Sequence, residues 1–216
     1  MAALMSNALP FTGVAADLIV STNDAKYARV VGHDTYPEHP APDTLSVIDG
    51  TRYPPQVIAT VGGTVAVLSI DGKTVSLQDQ IKLADRRLAG VSFTHDGKAA
   101  LVALRDDQEA VVLDVTGTKV TTNRERVATG VAPYSVDVSS DGKWAVISNV
   151  GLAGLPGEVG RCFGDADSVS LVDVSTRPFR TVQYLTVPSI PEGVAISPDG
   201  CWIRARGFLF PGDPSP

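Results

Sequence analysis

The sequence has few cysteines, no long apolar run and no basic run, the features that mark disulfide-rich, membrane-spanning and nucleic-acid-binding proteins. Its 216 residues include two cysteines, Cys162 and Cys201, which are too few for a disulfide scaffold and lack metal-ligand spacing. No stretch approaches the ~20 consecutive apolar residues of a membrane-spanning helix, and no run of Lys or Arg offsets the net charge of −6. The composition therefore argues against a nucleic-acid partner and against an anionic membrane surface.

Motifs for common chemistries are absent as well. The nucleophile motif G-x-S-x-G and the haem-attachment motif C-x-x-C-H do not occur. Of the three histidines, His95 fills a turn position that other residue types occupy in related segments. We therefore assign no catalytic residue and predict no cofactor. We expect a binding protein rather than an enzyme, although the sequence leaves enzymatic activity open.

What the sequence does contain is a repeated segment. Pro191–Gly200 (PEGVAISPDG) is echoed by Leu88–Gly97 and by Ala132–Gly142, and each segment runs from alternating apolar residues into Asp-Gly. The aspartates of the three Asp-Gly pairs are 45 and 58 residues apart. A period of about 40 to 45 residues with four short strands is typical of a β-propeller blade.

One copy shows the four strands, called a to d, most clearly. Strand a covers 135–138, b covers 144–148, c covers 168–174 and d covers 181–187, and Asp141-Gly142 is predicted as a two-residue turn between a and b. The strands are nearly continuous in apolar residues, which suits strands covered on both faces. The sequence therefore predicts an all-β fold, a β-propeller built of four-stranded blades.

The repeats are incomplete towards both ends. Strands b and c of a first unit are predicted at 18–20 and 45–49 and strand d at 57–61, after which Gly62-Gly63 leads directly into another strand c. The last Asp-Gly is followed by a strand b with two arginines where other copies are apolar. We therefore expect an incomplete propeller, about four blades' worth of a seven-bladed ring. The expected parts are a leader at 1–16, one propeller domain at 17–203 and an irregular tail at 204–216.

Three motifs carry a resemblance to a known family: Leu45–Asp49 (LSVID), Ser168–Asp173 (SVSLVD) and Pro191–Gly200. They resemble the YVTN-type β-propeller repeats of bacterial proteins, over roughly 17–200. The resemblance implies a seven-bladed ring related in shape to lactonase-like propellers. Seven blades need about 300 residues, so the chain resembles a shortened member. The repeat signature is structural and implies no particular chemistry.

The N-terminal segment has some features of an export signal. Residues 2–16 are weakly apolar and uncharged, and Val14-Ala15-Ala16 resembles the small-x-small cleavage site of a secretory signal. A basic region before the apolar residues is missing, which leaves an ordinary disordered leader as the alternative. We expect a signal-like leader and, with it, a periplasmic or secreted protein.

Two long connections between strands b and c are the predicted functional loops, since loops carry sequence that packing does not dictate. The first, 26–43, gathers His33, Asp34, Glu38 and His39, whose side chains are of the kinds that ligate divalent metals. Three prolines in the same stretch favour an extended, solvated loop, which is the structural alternative to a metal site.

The second connection, 151–167, has glycines at every third position from Gly151 to Gly160. It lacks the following helix that phosphate-binding loops use, and its two aspartates lack the spacing of a calcium loop. A flexible rim loop is the alternative to ligand contact. The candidate ligand-binding residues of the chain are Asn23, Asn149, Arg161, Asp165, Asp167 and Glu192.

Three functions fit these observations. The first is an exported binding or scaffold module that uses its b-to-c loops, with an unidentified protein or small molecule as partner. The second is a lactonase-like hydrolase or a periplasmic redox-associated propeller, and the third is a truncated product without activity of its own. Open blade edges also predict self-association. Trp144 and Trp202, which follow Asp-Gly-x, are predicted to pack between blades.

Overall fold

The structure of the protein is a computed structural model. It describes residues 63–69, 74–83, 85, 87–117, 119–152 and 167–206, and the backbone alone of 19–23, 28–30, 33–35, 44–48, 56–61, 70 and 71. Strands account for most of these residues, and none of them belongs to an α-helix. This part of the chain therefore contains no helical membrane span.

The described residues form seventeen strands, named in chain order. They are β1 (Ile19–Asn23), β2 (Ala28–Val30), β3 (His33–Thr35), β4 (Thr44–Ile48), β5 (Gln56–Val61), β6 (Thr64–Asp71), β7 (Thr74–Lys82), β8 (Leu88–Phe93), β9 (Ala99–Leu104), β10 (Glu109–Thr116), β11 (Lys119–Ala128), β12 (Pro133–Val138), β13 (Trp144–Val150), β14 (Asp167–Asp173), β15 (Arg180–Thr186), β16 (Gly193–Ile196) and β17 (Ile203–Arg206).

The chain divides into two compact units. The smaller unit comprises Met1–Pro55 and Ile70–Val75. In it β1 pairs antiparallel with β4, with Ile19 opposite Ile48, which confirms the pairing of strands b and c predicted for the first repeat. Within the connection between them, β2 and β3 form a short antiparallel hairpin.

The larger unit comprises Gln56–Ser69 and Ser76–Pro216 and contains most of the sheets. Sheet I has the order β5-β6-β7, sheet II the order β8-β9-β10-β11, sheet III the order β12-β13-β14-β15, and sheet IV pairs β16 with β17. Sheets II and III are antiparallel four-stranded sheets in sequential order, as the repeat predicts. The four strands predicted for sheet III lie within two residues of those observed at every boundary.

One strand is assigned differently by the structure. The segment 57–61 was predicted as strand d of the first repeat, but β5 pairs with β6 as an antiparallel hairpin in sheet I, with Val61 opposite Thr64. A two-residue connection joins neighbouring antiparallel strands directly, so local geometry places β5 beside the strand that follows it. The prediction for this strand is therefore wrong.

The core consists of two apolar layers, one on each face of sheet II. All six residues of β9 are buried. Ala99, Leu101 and Ala103 belong to the layer shared with sheet III, whereas the alternate residues face the layer shared with β6 of sheet I. Because side chains alternate across a strand, a strand covered on both faces has no polar position. This double burial accounts for the continuous apolar sequence AALVAL.

The Asp-Gly segments form a turn that differs from the predicted two-residue hairpin. Five residues separate β12 from β13. Asp141 Oδ1 accepts hydrogen bonds from Ser139 Oγ at 2.6 Å and from the Lys143 amide at 3.1 Å, and the Trp144 amide donates to Ser139 Oγ at 3.0 Å. Gly142 alone of the pair has positive φ, at 70°. The aspartate therefore acts as a hydrogen-bond acceptor within the turn, and these bonds hold its pKa below the usual value.

The same hydrogen bonds recur in the other two copies of the turn. The participating side chains there are Thr94 with Asp96 and Ser197 with Asp199. The predicted packing role of the following tryptophan is wrong for Trp202, whose surface is 74% exposed. Trp144 is 37% exposed and so is only partly covered.

Candidate functional site

The two ends of each four-stranded sheet carry different connections. Because neighbouring strands are antiparallel, strand a begins at the end where strand b finishes and strand c begins. This end carries the b-to-c loops, and we call it the b–c end. The opposite end carries the Asp-Gly turns and the c-to-d turns, and we call it the Asp-Gly end. The sequence-predicted residues Asn149, Asp167 and Glu192 all belong to the b–c end.

Strands a of sheets II and III each contain a β-bulge at the b–c end. The register shifts between Leu88 and Val91 in β8 and at the equivalent place in β12. In the second bulge the Ser135 amide donates to the Ser148 side-chain hydroxyl of the neighbouring strand β13 at 3.0 Å. Bulges change the direction of the side chains they contain, and Tyr134 lies in one of them.

Arg105, Tyr134 and Glu192 are brought together at the b–c end. Arg105 directly follows β9, and its guanidinium carbon lies 4.9 Å from the centre of the Tyr134 ring. This distance is within the range of a cation–π interaction. Burial lowers the pKa of Arg105 and the Arg87 cation lowers it further, whereas the charges of Tyr134, Asp106 and Glu192 act in the opposite direction.

An ion pair fixes the turn that carries Arg105. Arg87 donates from Nη2 to Asp106 Oδ1 at 2.7 Å and from its amide to Asp106 Oδ2 at 3.0 Å. The Asp106 side chain is only 6% exposed. Burial alone would raise its pKa, but the hydrogen bonds from Arg87 and its charge lower the pKa below the usual value. The Arg105 amide also donates to the Arg87 carbonyl at 3.1 Å, so the position of Arg105 depends on this pair.

Asn149, a predicted ligand residue, is fully buried between strands. Its Nδ2 donates to the Ser168 carbonyl at 3.3 Å and to the Ser170 hydroxyl at 2.9 Å. The same Ser170 hydroxyl accepts from the Gly130 amide at 3.2 Å, which ties the linker between sheets II and III to sheet III. Within the described part of the chain, Asn149 Oδ1 has no hydrogen-bond partner. Asn149 thus closes the b–c end of the apolar layer between the two sheets.

Asp167, the second predicted residue, is buried and holds the segment that leads to Glu192. Its Oδ1 accepts from the Ile190 amide at 3.1 Å, and its carbonyl accepts from the Val187 amide at 3.3 Å. Asp167 therefore positions Glu192 through the backbone of 187–190. Glu192 itself is half-buried just before β16.

The remaining predicted residues cannot be placed with their side chains. Arg161, Asp165, Glu38 and His39 lie outside the described residues, as does Cys162. Of Asn23, His33 and Asp34 the backbone alone is described, on β1 and β3. Among the described side chains, no three His, Cys, Asp or Glu groups are placed to hold a metal ion. The metal site at His33, Asp34, Glu38 and His39 stays a prediction.

Sequence reasoning missed Arg87, Arg105 and Asp106. The sequence could have identified them only by their position in the repeat. Arg105-Asp106 comes directly after the buried strand β9 and occupies the b-to-c connection of sheet II. A short connection holds its side chains on a rigid sheet, which favours a defined site.

Several solved structures are similar to this chain. A candidate 6-phosphogluconolactonase from Bacteroides uniformis ATCC 8492 is 14% identical with a TM-score of 0.56, and a match covers 75% of this chain and 52% of that one. A second candidate 6-phosphogluconolactonase, from Bacteroides fragilis NCTC 9343, is 16% identical with a TM-score of 0.53 and the same coverage. A functionally unknown protein from Desulfotomaculum acetoxidans DSM 771 is 9% identical with a TM-score of 0.56, covering 88% and 59%.

The fold is that of a β-propeller built of four-stranded antiparallel sheets. At these identities the likeness shows the fold alone. This chain spans between about half and three fifths of the length of these three proteins. No protein-family model and no curated protein matches the sequence. Sheets II and III are thus two complete blades, and the finer assignment to YVTN-type repeats stays a prediction.

Proposed function

We propose that the chain is an exported binding module that takes a small anionic ligand at the b–c end of its blades. The observation that supports this most directly is the convergence of Arg105, Tyr134 and Glu192, which come from blade II, blade III and the segment before sheet IV. Export rests on the signal-like leader at 1–16. The two long b-to-c loops, 26–43 and 151–167, stay candidate ligand-binding segments.

The chemistry of the three side chains suits a ligand that carries a carboxylate or phosphate group together with hydroxyl groups. An arginine presents five donors in a planar fork that matches carboxylate and phosphate oxygens. A tyrosine ring offers an apolar face, and Glu192 accepts hydrogen bonds from hydroxyl groups. Arg87 and Asp106 are proposed as positioning residues, because they hold the turn of Arg105.

A second candidate function is hydrolysis of a lactone. It is favoured by the fold shared with two candidate 6-phosphogluconolactonases. In this case Glu192 would act as the general base, since its carboxylate lies near enough to Arg105 for its charge to act on the guanidinium. Both functions use the same residues and differ in whether the ligand is converted.

One experiment separates the two functions. Binding of gluconate and 6-phosphogluconate is measured by calorimetry, and hydrolysis of the corresponding lactones is followed by acid release. We expect binding without turnover. Arg105→Lys keeps the charge but loses the planar fork, and Glu192→Gln loses the carboxylate; each should weaken binding about 10- to 150-fold, the range of a charged hydrogen bond.

Arg124→Lys provides the matched control, because Arg124 is exposed on the outer strand of blade II, on a different part of the surface. Its affinity should equal that of the unmodified protein. Turnover that Glu192→Gln abolishes would establish the hydrolase instead. Failure of both anions to bind would contradict an anion site at the b–c end.

A further inference from the structure

A second concave site lies at the Asp-Gly end, opposite to the b–c end. A cleft of about 830 Å³ opens between blades II and III. Its walls are the Asp-Gly turns of both blades and the c-to-d turns that follow β10 and β14. Ligand sites for small molecules are typically clefts of about 300 to 1,000 Å³, so the cleft has room for a small organic ligand.

The floor of the cleft is held by a bridge between the blades. Arg177, from the c-to-d turn of blade III, places Nη1 2.5 Å from Asp114 Oδ1 and 3.7 Å from Glu125 Oε2, both on blade II. The Phe179 amide donates to Glu125 Oε1 at 2.6 Å, and the Arg177 guanidinium lies 5.4 Å from the Phe179 ring centre. Glu125 is only 14% exposed. The cleft is therefore preformed by contacts within the protein.

The charges around the cleft are compensated within the protein. Asp114 is paired with Arg177, and Asp141 lies 3.3 Å from the Lys143 ammonium through Oδ2 and accepts two hydrogen bonds through Oδ1. Asp96 forms the equivalent turn and faces Lys98. An added anion would meet three carboxylates, and a metal ion would find no set of three ligands among the described side chains. The cleft is therefore unsuited to ions of either sign.

Three hydroxyl groups remain available in the cleft, beside the exposed His95 imidazole. Thr116, Thr121 and Thr176 line it, are exposed, and make no side-chain hydrogen bond with the described residues. Each hydroxyl can donate one hydrogen bond and accept two. The Val115 and Val174 side chains also line the cleft, where they are only 9% and 5% exposed. Donor–acceptor hydroxyls of this kind match the hydroxyl groups of a sugar ring, each of which also donates one hydrogen bond and accepts two.

We propose that this cleft binds a short neutral saccharide. The exposed hydroxyls of the three threonines exchange hydrogen bonds with sugar hydroxyls, and the turn carboxylates accept further ones. The site is separate from the b–c end and does not depend on the function proposed there.

The test is a titration of the full chain, followed by amide chemical shifts, with glucose, maltose and cellobiose as neutral probes and glucuronate as the anionic probe. We expect at least one neutral saccharide to bind and to shift amides of the Asp-Gly turns. Thr121→Val and Thr176→Val remove one exposed hydroxyl with little change of volume. Each should weaken binding about 2- to 10-fold, the range of one neutral hydrogen bond.

Two control variants separate loss of the hydroxyl from disturbance of the fold. Thr121→Ser keeps the hydroxyl and should bind about as tightly as the unmodified protein. Thr186→Val removes an exposed hydroxyl at the b–c end of β15 and should leave the affinity unchanged. Three outcomes would each overturn the proposal. They are no binding of any of the three neutral probes, tighter binding of glucuronate than of the neutral probes, and an affinity of Thr121→Val and Thr176→Val equal to that of the unmodified protein.

Discussion

Replacement of Gly90 by alanine tests a close approach between the two complete blades. A Cβ at this position would lie 2.6 Å from the Tyr134 carbonyl oxygen and 2.9 Å from both Ser135 Cα and the Val136 nitrogen. Real Cβ atoms essentially never come within 3.0 Å of another atom. All three neighbours are backbone atoms, so no side chain can rotate away. Strands β8 and β12 must move apart to admit the methyl group.

The expected cost is that of overpacking a close-packed site, about 1–3 kcal/mol. For a chain of this length, 1 kcal/mol corresponds to a change in Tm of about 2–4 °C. Gly90→Ala should therefore lower the Tm by about 2–12 °C. In a urea titration the midpoint should fall. The slope of the free energy of unfolding against urea concentration (the m-value) should stay the same, because the folded state keeps its compactness.

Gly193→Ala is the matched control, because Gly193 occupies the same place in the repeat, at the start of β16. There the nearest atom to an added Cβ is Arg206 Cβ at 3.8 Å, an ordinary van der Waals contact. Alanine restricts the unfolded chain more than glycine does, so this variant should gain about 0.4–1 kcal/mol. Circular dichroism melts of both variants, side by side, supply the measurement. Equal stability of the two would refute the assignment of a tight β8–β12 contact.

Three further predictions concern the core and the charged bridges. Arg177→Met should lower the free energy of unfolding, measured by urea titration, by about 1–2 kcal/mol, since it leaves partly buried carboxylates unpaired. The control is Arg180→Met, because Arg180 is exposed and its ion pair is longer, at 3.6 Å. This variant should change the free energy of unfolding by less than about 0.5 kcal/mol. Asp106 has a lowered pKa in the folded protein. Its ionised form therefore stabilises the fold above the unfolded pKa of about 4, and this stabilisation is lost as the pH falls through the folded pKa. The urea midpoint of Asp106→Asn should thus fall less between neutral and acid pH than that of the unmodified protein. Leu101→Ala, at a fully buried side chain, should cost about 2–5 kcal/mol, whereas Leu77→Ala, 55% exposed, should cost under about 0.5 kcal/mol in the same titration.

The sequence predicts the complete blades well because several local signals agree there. In blade III the apolar strands, the Asp-Gly turn and the spacing of the repeat all give the same four strands. For β5 the signals conflict, since a short apolar strand between two others can pair with either neighbour. The repeat pattern predicts that it pairs with the preceding strand, whereas the two-residue connection to β6 decides the pairing. Local turn length is the stronger constraint in such a case.

The candidate site is less predictable than the fold, because its residues meet across blades. Tyr134 and Glu192 can be placed at the b–c end from the repeat alone. Arg105 comes from a different blade, and its contact with the Tyr134 ring depends on the bulge in β12 and on the Arg87–Asp106 pair. A sequence motif does not encode a bulge or an ion pair between separate connections. The same limitation applies to Arg177, whose partners lie more than fifty positions earlier in the chain.

The apolar layer between blades II and III is closed by polar groups at both ends, and this separates the two proposed sites. Asn149 with Ser168 and Ser170 closes the b–c end, and the Arg177 bridge closes the Asp-Gly end. The six residues of β9 run between these ends, which at about 3.3 Å per residue gives a separation of roughly 20 Å. Sites this far apart that share no partner act independently, with coupling under about 0.5 kcal/mol. Saturation with gluconate should therefore change the affinity for a neutral saccharide by less than about 2.5-fold in calorimetry. A larger change would mean that one of the two ligands moves the blades relative to each other, which the buried layer between them opposes.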